Sequence, residues 1–293
     1  SPRVRCPVLH LVASGRVTPG MPIARRSGSE EGRMATRVKP YAESAASYIP
    51  ERPTLEKVRT ASKGCKACWL WTLGTQTVFG EGPRQADVMF IGEQPGDQED
   101  KAGRPFVGPA GKLLDRALNE AGIDRETVYV TNAVKHFKWE RTERSTRRIH
   151  KKPNDAEIRA CRPWLDSEIA LVRPRVIITL GATASQALLG KQFRVTKDRG
   201  KPIASPLAEA IFATVHPSSV LRAPDPAARA QAEQELIADL TKVARHLQAQ
   251  ARQRGQRGPR ATATRTERRA PKTPNGSAEP RGLPMAARGR RGG

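Results

Sequence analysis

The chain has 293 residues, and its 52 lysines and arginines against 29 aspartates and glutamates give a formal net charge of +23. This length allows one large domain or two small ones, and the excess of positive charge favours a polyanionic partner. No apolar run approaches the roughly 20 residues that cross a bilayer, and four cysteines in a chain of this length argue against a disulfide scaffold and for a reducing, cytoplasmic setting.

Much of the positive charge lies at the two ends of the chain. Six arginines and two glutamates give residues 1–33 a net charge of +4, and twelve basic and two acidic residues give residues 251–293 a net charge of +10. We expect residues 1–33 to be a disordered extension or the product of a misassigned start, because Met34 opens a more ordinary sequence. Residues 251–293 are rich in Arg, Gly and Pro, which predicts a disordered tail that is either inert or attracted to phosphates. The folded domain is therefore expected at residues 34–250.

Strand and helix patterns alternate in this domain. Apolar, β-branched runs predict four strands, at residues 86–92, 127–134, 175–180 and 211–215. Helical periodicity predicts helices at residues 111–121, 156–172, 182–189 and from 226 to about 249. Such alternation is typical of the α/β class, and predicts a three-layer α/β/α sandwich with a central, four-stranded, mainly parallel sheet.

Glycine-rich and polar segments follow three of the predicted strands. Ligands of open parallel sheets bind beyond the carboxyl ends of the strands, which places residues 92–96, 132–136 and 216–222 together. The segment 92–111, GEQPGDQEDKAGRPFVGPAG, combines glycines and prolines with acidic side chains. A loop of this kind lets the backbone approach a ligand closely while carboxylates lie beside it.

Three cysteines of the domain indicate a metal centre. Cys65 and Cys68 form a C-x2-C motif, and Cys161 begins the segment CRPWL in a predicted helix. His136 is a candidate for a fourth ligand. The residue types fit either a Cys3His zinc site or an iron–sulfur cluster, and buried thiols without a metal are the alternative.

Taken together, these segments resemble the family 4 uracil-DNA glycosylases, α/β enzymes that carry a [4Fe–4S] cluster. The resemblance extends from about residue 63 to residue 224 and includes the C-x2-C pair and the segments FGEG, GEQPG, EDKAGRPFVGPAG, VYVTNAVK, CRPWL, RVIITLG and HPSSVLR. It implies a uracil-DNA glycosylase of DNA repair whose substrate is uracil-containing DNA, preferably single-stranded, and nothing in the sequence demands more than a monomer.

Three departures from family 4 point to an unusual branch. Gln94 stands where the family usually has a small residue, and His136 stands where it usually has a cluster cysteine. The loop at residues 138–153, KWERTERSTRRIHKKP, is longer and strongly basic. GEQPG together with R-R-I-H resembles UdgX, a uracil-DNA-binding protein whose loop histidine becomes covalently joined to DNA. UdgX usually has K-R-R-I-H, and Thr146 replaces that lysine here.

The resemblance implies a role in base recognition for four residues. Gly92 lies against the uracil, and Phe106 stacks on the flipped base. The amide of Asn132 donates to uracil O4 and accepts from N3–H, a pattern that cytosine cannot match. His216 donates to uracil O2, where negative charge develops as the base departs. The structural alternatives are a core phenylalanine, a turn-capping asparagine and a structural histidine.

The chemistry implied by the UdgX resemblance rests on three residues. His150 attacks C1′ of the sugar after the uracil has left, which gives a protein that reacts once. Glu93 orients His150 or accepts its proton and stabilises the cationic sugar, and Gln94 holds the motif and the loop in place. In the first alternative, a conventional family 4 or 5 glycosylase, water attacks and the loop is a solvated basic segment. In the second, the protein is a non-catalytic, metal-stabilised nucleic-acid-binding module.

Phosphate contacts and cluster ligands complete the set of candidate site residues. The expected phosphate contacts are Arg147, Arg148, Lys151, Ser218, Ser219 and Arg222, with Arg144 and Lys152 beside them. The cluster ligands carried over from family 4 are Cys65, Cys68 and Cys161, and His136 is inferred as the fourth because imidazole ligates iron in some clusters.

Overall fold

The computed structural model describes residues 44–142 and 145–256. The expectations for residues 1–33, for Arg144 and for the tail from residue 257 onward lie outside this part of the chain. No helix among the described residues combines the length and the apolar character needed to cross a membrane.

The central sheet contains five strands rather than the four that the sequence predicts. In chain order the strands of the protein are β1 (Val88–Gly92), β2 (Val128–Asn132), β3 (Trp139–Thr142), β4 (Ser145–His150), β5 (Val176–Leu180), β6 (Ile203–Ser205) and β7 (Ala208–Thr214). The sheet order is β2-β1-β5-β7-β6, in which the first four strands are parallel and β6 pairs antiparallel with β7. The additional strand β6 has only three residues, too few to show an apolar pattern.

The helices cover both faces of the sheet. They are α1 (Leu55–Ser62), α2 (Asp97–Ala102), α3 (Pro109–Glu120), α4 (Asp155–Val172), α5 (Gly181–Leu189), α6 (Val195–Asp198), α7 (Pro217–Leu221) and α8 (Pro226–Gln256), with 3₁₀ turns at Ala45–Tyr48, Trp69–Thr72 and Arg125–Thr127. The four predicted helices are present as α3, α4, α5 and α8, and α8 continues to Gln256, beyond the predicted end near residue 249.

Alternate residues of each strand belong to opposite layers. In β1, Met89 and Ile91 pack in a core with residues of α1, α4 and α5, whereas Val88 and Phe90 pack in a second core with residues of α3, α7 and α8. Because successive side chains of a strand point to opposite faces, both faces of the sheet are buried. The α/β/α sandwich is confirmed.

Local sequence signals fix where α4 begins and ends. The side chain of Asn154 accepts a hydrogen bond from the amide of Glu157 at 2.9 Å, and the Glu157 carboxylate accepts from the amide of Asn154 at 2.7 Å. This capping box satisfies amides that the first helical turn leaves unpaired. The helix ends at Arg173, which has a left-handed φ of 56°.

The basic segment at residues 138–153 forms a hairpin rather than an irregular loop. Strands β3 and β4 pair antiparallel, with Trp139 opposite His150 and Glu140 opposite Ile149. The hairpin follows β2 after a short connection, so it lies next to the carboxyl edge of the sheet. His150 therefore occupies the last position of a strand close to that edge.

Candidate active site

A cleft of about 800 Å³ lies at the carboxyl edge of the sheet, where the sequence places the site. The candidate residues that line it are Glu93, Gln94, Phe106, Asn132, His150, His216, Ser218, Ser219 and Arg222. Residues that the sequence analysis did not single out for the site also line it, among them Glu99, Ile149, Thr183 and Val195. The fold thus brings side chains from distant segments to one edge, as open parallel sheets do.

The floor of the cleft depends on a glycine at position 92. Gly92 ends β1 and lies beside Asn132, the last residue of β2. A β-carbon at position 92 would lie 2.4 Å from Oδ1 of Asn132 and 2.8 Å from Cζ of Phe106. Both distances are shorter than real contacts allow, so only glycine lets these two side chains take their places.

Phe106 is held in a conformation that a phenylalanine rarely adopts. Its φ is 56°, in the left-handed region, where a bulky side chain is strained. The ring contributes to the core beside α3 and also lines the cleft, where it stacks on His216 with 6.3 Å between ring centroids and 28° between planes. Phe106 is therefore both a core residue and a residue of the cleft wall, and its stacking on a base stays a prediction.

Asn132 is anchored from behind by a buried ion pair. Nζ of Lys135 donates to the main-chain oxygen of Asn132 at 2.7 Å and lies 2.5 Å from the carboxylate of Glu168. The side chains of Lys135 and Glu168 are fully buried. Glu168 also accepts hydrogen bonds from Gly80 N, Tyr129 and Thr131. A buried pair with its polar partners satisfied in this way keeps the end of β2 rigid.

His216 is a neutral hydrogen-bond donor. It caps the amino end of α7, where Nδ1 accepts the amide of Ser218 at 3.1 Å. The proton therefore resides on Nε2. Burial, with smaller contributions from the positive charge of Arg222 and from the neighbouring His150, lowers the pKa of His216 to about 4. A neutral imidazole that donates through Nε2 suits the stabilisation of a developing oxyanion.

Both serines of the HPSSVLR segment contact His216. The hydroxyl oxygen of Ser218 lies 2.8 Å from Nδ1, and the hydroxyl of Ser219 donates to the His216 carbonyl at 2.7 Å. The sequence analysis assigns these serines to phosphate. In the structure their hydroxyls hold the histidine in its capping position, and because both residues also line the cleft, the expected phosphate contacts stay a prediction.

His150 faces the carboxylate of Glu93. Nε2 of His150 lies 3.5 Å from Oε1 of Glu93, and the hydroxyl of Thr183 on α5 donates to the other carboxylate oxygen. The sequence analysis missed Thr183, which carries no motif signal. Burial is the largest cause that lowers the pKa of His150, Arg222 also lowers it, and Glu93 opposes them. The half-exposed imidazole is therefore neutral at pH 7, with an unprotonated nitrogen.

Gln94 bonds to the two residues at the base of the hairpin, Lys138 just before β3 and Lys151 just after β4. Its Nε2 donates to the carbonyls of Lys138 at 3.2 Å and Lys151 at 3.0 Å, and its Oε1 accepts the amide of Lys138 at 3.1 Å. A small side chain at this position has neither the reach nor the donors and acceptor for these contacts. Gln94, which stands where family 4 usually has a small residue, thus holds the base of the hairpin in place.

Two of the expected phosphate contacts are engaged within the protein. Arg148 donates to Asp97 at 2.5 Å and Asp100 at 2.6 Å, and its guanidinium lies over the rings of Phe137 and Trp139. Only 13% of the Arg148 side chain is exposed and it braces the hairpin, so the expected phosphate contact would require it to leave both aspartates. Lys151 is half-exposed and pairs with Glu140 at 2.6 Å. Arg147 and Arg222 are exposed, so their side chains have access to solvent.

The three cysteines of the domain are buried and near one another. Burial is the largest cause that raises the pKa of Cys68 to about 11 and that of Cys161 to about 12, and the neighbouring cysteines contribute. The amide of Lys135 donates to Sγ of Cys161 at 3.2 Å, and Nε1 of Trp164 donates to Sγ of Cys65 at 3.2 Å. Within the described ranges, no three Cys, His, Asp or Glu side chains are spaced for a single metal ion.

The hydrogen bonds around His136 leave one of its ring nitrogens unprotonated. The hydroxyl of Thr77 donates to the Ser62 carbonyl at 2.8 Å, so it accepts from Nε2 of His136 at 3.2 Å. Nδ1 is then the nitrogen with the free electron pair. Metal-ligating histidines commonly donate their other N–H in this way. Three buried thiols with N–H donors and a neutral imidazole fit the donor set of an iron–sulfur cluster.

Comparison with known proteins shows the family of the chain. The family model of the uracil DNA glycosylase superfamily matches residues 79–241, more than half of the chain. The chain belongs to the uracil DNA glycosylase superfamily. It is 39% identical to the type-4 uracil-DNA glycosylase of Sulfurisphaera tokodaii over 180 residues, which cover 59% of this chain and 78% of the relative.

Further relatives come from both type 4 and type 5. The type-4 uracil-DNA glycosylase of Thermotoga maritima is 41% identical over 169 residues, which cover 57% of this chain and 83% of the relative. The type-5 uracil-DNA glycosylase of Thermus thermophilus is 32% identical over 127 residues, which cover 38% of this chain and 53% of the relative.

Proposed function

We propose that this protein excises uracil from DNA and then bonds covalently to the abasic site through His150. The observation that carries the proposal is the pairing of a neutral His150 with Glu93 at 3.5 Å, on a hairpin that Gln94 fastens over the cleft. The relatives named as uracil-DNA glycosylases support the first half of the proposal, and the hairpin supports the second.

The base is recognised before any bond breaks. Phe106 stacks on the extrahelical uracil, and the Asn132 amide pairs with O4 and N3–H, while His216 donates from Nε2 to O2. As the bond between N1 and C1′ breaks, its electron pair leaves with the uracil. The His216 N–H then stabilises the charge on O2, and the Glu93 carboxylate stabilises the cationic sugar.

The sugar cation is captured by the protein. The unprotonated nitrogen of the neutral imidazole of His150 bonds to C1′ with its own electron pair, and Glu93 then accepts the proton that the other ring nitrogen carries in the imidazolium so formed. The proton passes from Glu93 through solvent to the departed uracil anion, so the charges balance. The new C1′–N bond has no good leaving group, and each protein molecule reacts once.

A conventional glycosylase with repeated turnover is the second candidate. The type-4 and type-5 relatives favour it, because their names describe glycosylases rather than DNA-bound adducts. In that case Glu93 orients a water molecule that attacks C1′. The cleft residues and their roles in base recognition are the same in both candidates.

One denaturing gel distinguishes the two. Protein is incubated with labelled, uracil-containing single-stranded DNA and heated in detergent. Covalent capture is supported if wild-type protein gives a shifted band that survives this treatment. His150→Ser should lose this band and release free abasic DNA. Abasic DNA in molar excess over wild-type protein, without a shifted band, supports turnover. In Asn132→Ala both products should disappear, because base recognition precedes either fate.

We also propose that Cys65, Cys68, Cys161 and His136 hold a [4Fe–4S] cluster with a structural role. When bound, the cluster would cross-link the segment before the 3₁₀ turn Trp69–Thr72 to α4, and excision by displacement needs no electron transfer. Anaerobically purified protein should contain iron and acid-labile sulfide. Cys161→Ser should lose them, whereas Cys6→Ser, outside the described residues, should keep them. Zinc in place of iron would overturn the assignment.

A further inference from the structure

Thr183 holds the second oxygen of the Glu93 carboxylate. Its hydroxyl donates to Oε2, while Oε1 lies 3.5 Å from Nε2 of His150. The three side chains form a row in which exposure increases, from 4% for Thr183 through 21% for Glu93 to 50% for His150. A nucleophile, a base beside it and a third group that orients the base are the usual parts of an activated side chain in an enzyme.

The start of α5 places Thr183 at the carboxyl edge of the sheet. Strand β5 passes into α5 without a loop, because Gly181, the first residue of the helix, has a left-handed φ of 85°. In the sheet β5 pairs with β1, and Glu93 directly follows β1. Thr183 is therefore carried by an interior strand, next to the strand end from which Glu93 extends.

The hydroxyl proton of Thr183 is directed to the cleft rather than to its own helix. Serines and threonines inside helices often donate to the carbonyl four residues earlier. Ser185, in the same helix, does so to the Gly181 carbonyl at 2.8 Å. A threonine hydroxyl has one proton to donate, and that of Thr183 goes to Glu93. The buried hydroxyl thus serves a residue of the cleft.

The main chain of Glu93 is fixed, but its side chain depends on a partner. The Glu93 carbonyl accepts the amide of Val134 at 3.0 Å, which continues the pairing of β1 with β2. Beyond the main chain, the carboxylate is attached through three rotatable bonds, so it samples several rotamers unless a partner holds it. With Oε2 held by Thr183, Oε1 keeps a constant direction toward His150.

We infer that Thr183 is a positioning residue, which holds the Glu93 carboxylate in the orientation that serves His150 and the sugar cation. The inference rests on the proposed function, in which Glu93 stabilises that cation and accepts a proton from His150. The hydroxyl proton of Thr183 stays on its oxygen throughout. A donor fixed before the reaction contributes because the carboxylate then needs no reorganisation as charge develops.

Reaction rates of hydroxyl-deficient variants test the inference. Thr183→Val removes the donor, so single-turnover adduct formation on uracil-containing single-stranded DNA should slow by about 10- to 100-fold, as expected for a hydrogen bond to a charged group. Thr183→Ala, which is smaller and also lacks the hydroxyl, should slow similarly, whereas Thr183→Ser should keep most of the rate. Thr241→Val, which removes a hydroxyl bonded to the Ile237 carbonyl of α8, is the matched control and should react as wild type.

DNA affinity separates positioning from packing. A 2′-fluorinated uracil nucleotide resists cleavage, because the fluorine destabilises the sugar cation. Single-stranded DNA with this nucleotide should bind Thr183→Val and wild-type protein equally, since the base contacts of Phe106, Asn132 and His216 are retained. A loss of affinity in parallel with the rate would overturn the inference, because Thr183 would then support the cleft as a whole.

The titration of His150 gives a readout that needs no excision. Burial lowers the pKa of His150, Arg222 also lowers it, and Glu93 raises it. When Thr183→Val frees the carboxylate, its attraction for the imidazolium weakens, so the midpoint should move to lower pH by about 0.5 or more. Proton NMR of the His150 ring, whose signals are absent from His150→Ser, follows the titration. Thr183→Ser and Thr241→Val should titrate as wild type.

The two readouts distinguish failure of the inference from failure of the proposed function. A Thr183→Val protein that reacts as wild type, or that reacts slowly with an unmoved His150 midpoint, would overturn the inference. Wild-type protein that yields neither adduct nor abasic DNA would overturn the proposed function. The His150 midpoint in Thr183→Val would then decide alone whether Thr183 holds Glu93.

Discussion

Gln94 and Lys138 exchange two hydrogen bonds that run in opposite directions, from Nε2 of Gln94 to the Lys138 carbonyl at 3.2 Å and from the Lys138 amide to Oε1 of Gln94 at 3.1 Å. The residue before Gln94 in the chain is Glu93, whose carboxylate faces His150 at the end of β4. The carboxamide of Gln94 therefore positions both the loop that carries Glu93 and the hairpin that carries His150. The distance between the Glu93 and His150 side chains depends on it.

Replacing Gln94 by alanine should uncouple excision from capture. The variant loses three hydrogen bonds, each worth about 0.5–1.5 kcal/mol, so the covalent fraction should fall by about tenfold or more while uracil release continues. The measurement is the ratio of adduct to free abasic DNA on a denaturing gel. Gln98→Ala, at an exposed position of α2, is the control and should behave as wild type. Undiminished adduct in Gln94→Ala would show that the hairpin is positioned by other contacts.

Adduct formation should depend on pH through His150. Burial, assisted by Arg222, lowers the pKa of His150 below its ordinary 6.5, and the nucleophile is the deprotonated form. The capture rate should be flat above pH 6.5 and should fall as the pH drops through the lowered pKa. Arg222→Gln removes one cause of the lowering, so the acid limb should move to higher pH. Arg229→Gln, an exposed arginine of α8, should leave the profile in place. A rate that rises toward acid would contradict the assignment.

A methyl group at position 92 should disable the cleft without unfolding the protein. In Gly92→Ala the new β-carbon meets Oδ1 of Asn132 at 2.4 Å and Cζ of Phe106 at 2.8 Å, so both side chains must move. Displacements of about 1 Å in a site cost roughly 100-fold in rate. Excision should fall by about that factor while circular dichroism is unchanged. In Gly64→Ala the nearest atom lies at 3.9 Å, and that control should remain active.

The buried pair behind Asn132 should dominate the stability of this region. Glu168→Ala leaves the fully buried ammonium of Lys135 without its partner, which should lower the free energy of unfolding by about 3–5 kcal/mol. Urea denaturation measures the change. Glu120→Ala, at the exposed end of α3, is the control and should stay within about 0.5 kcal/mol of wild type. A loss under about 1 kcal/mol in Glu168→Ala would show that Lys135 finds another acceptor.

The parallel strands and the place of the cleft were accessible from the sequence because both follow from periodicity. Four apolar runs separated by helical patterns predict the sheet, and its carboxyl edge then predicts where Glu93, Asn132 and His216 meet. The strand β6 was missed because its three residues, Ile203–Ser205, are too few to show a strand pattern. β6 is a strand because it pairs with the neighbouring β7. This pairing depends on tertiary context and not on the local preference of the three residues.

The side-chain partners within the site were less accessible. Arg148 stands in a run of basic residues that favours a DNA contact, and its true partners, Asp97 and Asp100, are about 50 residues away in the chain. Thr183 has no motif of its own and acquires a role only because α5 follows β5 at the same edge of the sheet. Sequence patterns locate elements, but they do not show which of two neighbouring like charges is turned inward.

The inward orientation of Arg148 has a consequence for how the protein responds to ionic strength. Binding to DNA releases condensed counterions only for those cations that reach the phosphates. The guanidinium of Arg148 is already neutralised by two carboxylates, so it displaces none. Under the proposed binding to DNA, the slope of log affinity against log salt should therefore count the exposed basic side chains of the hairpin but not Arg148.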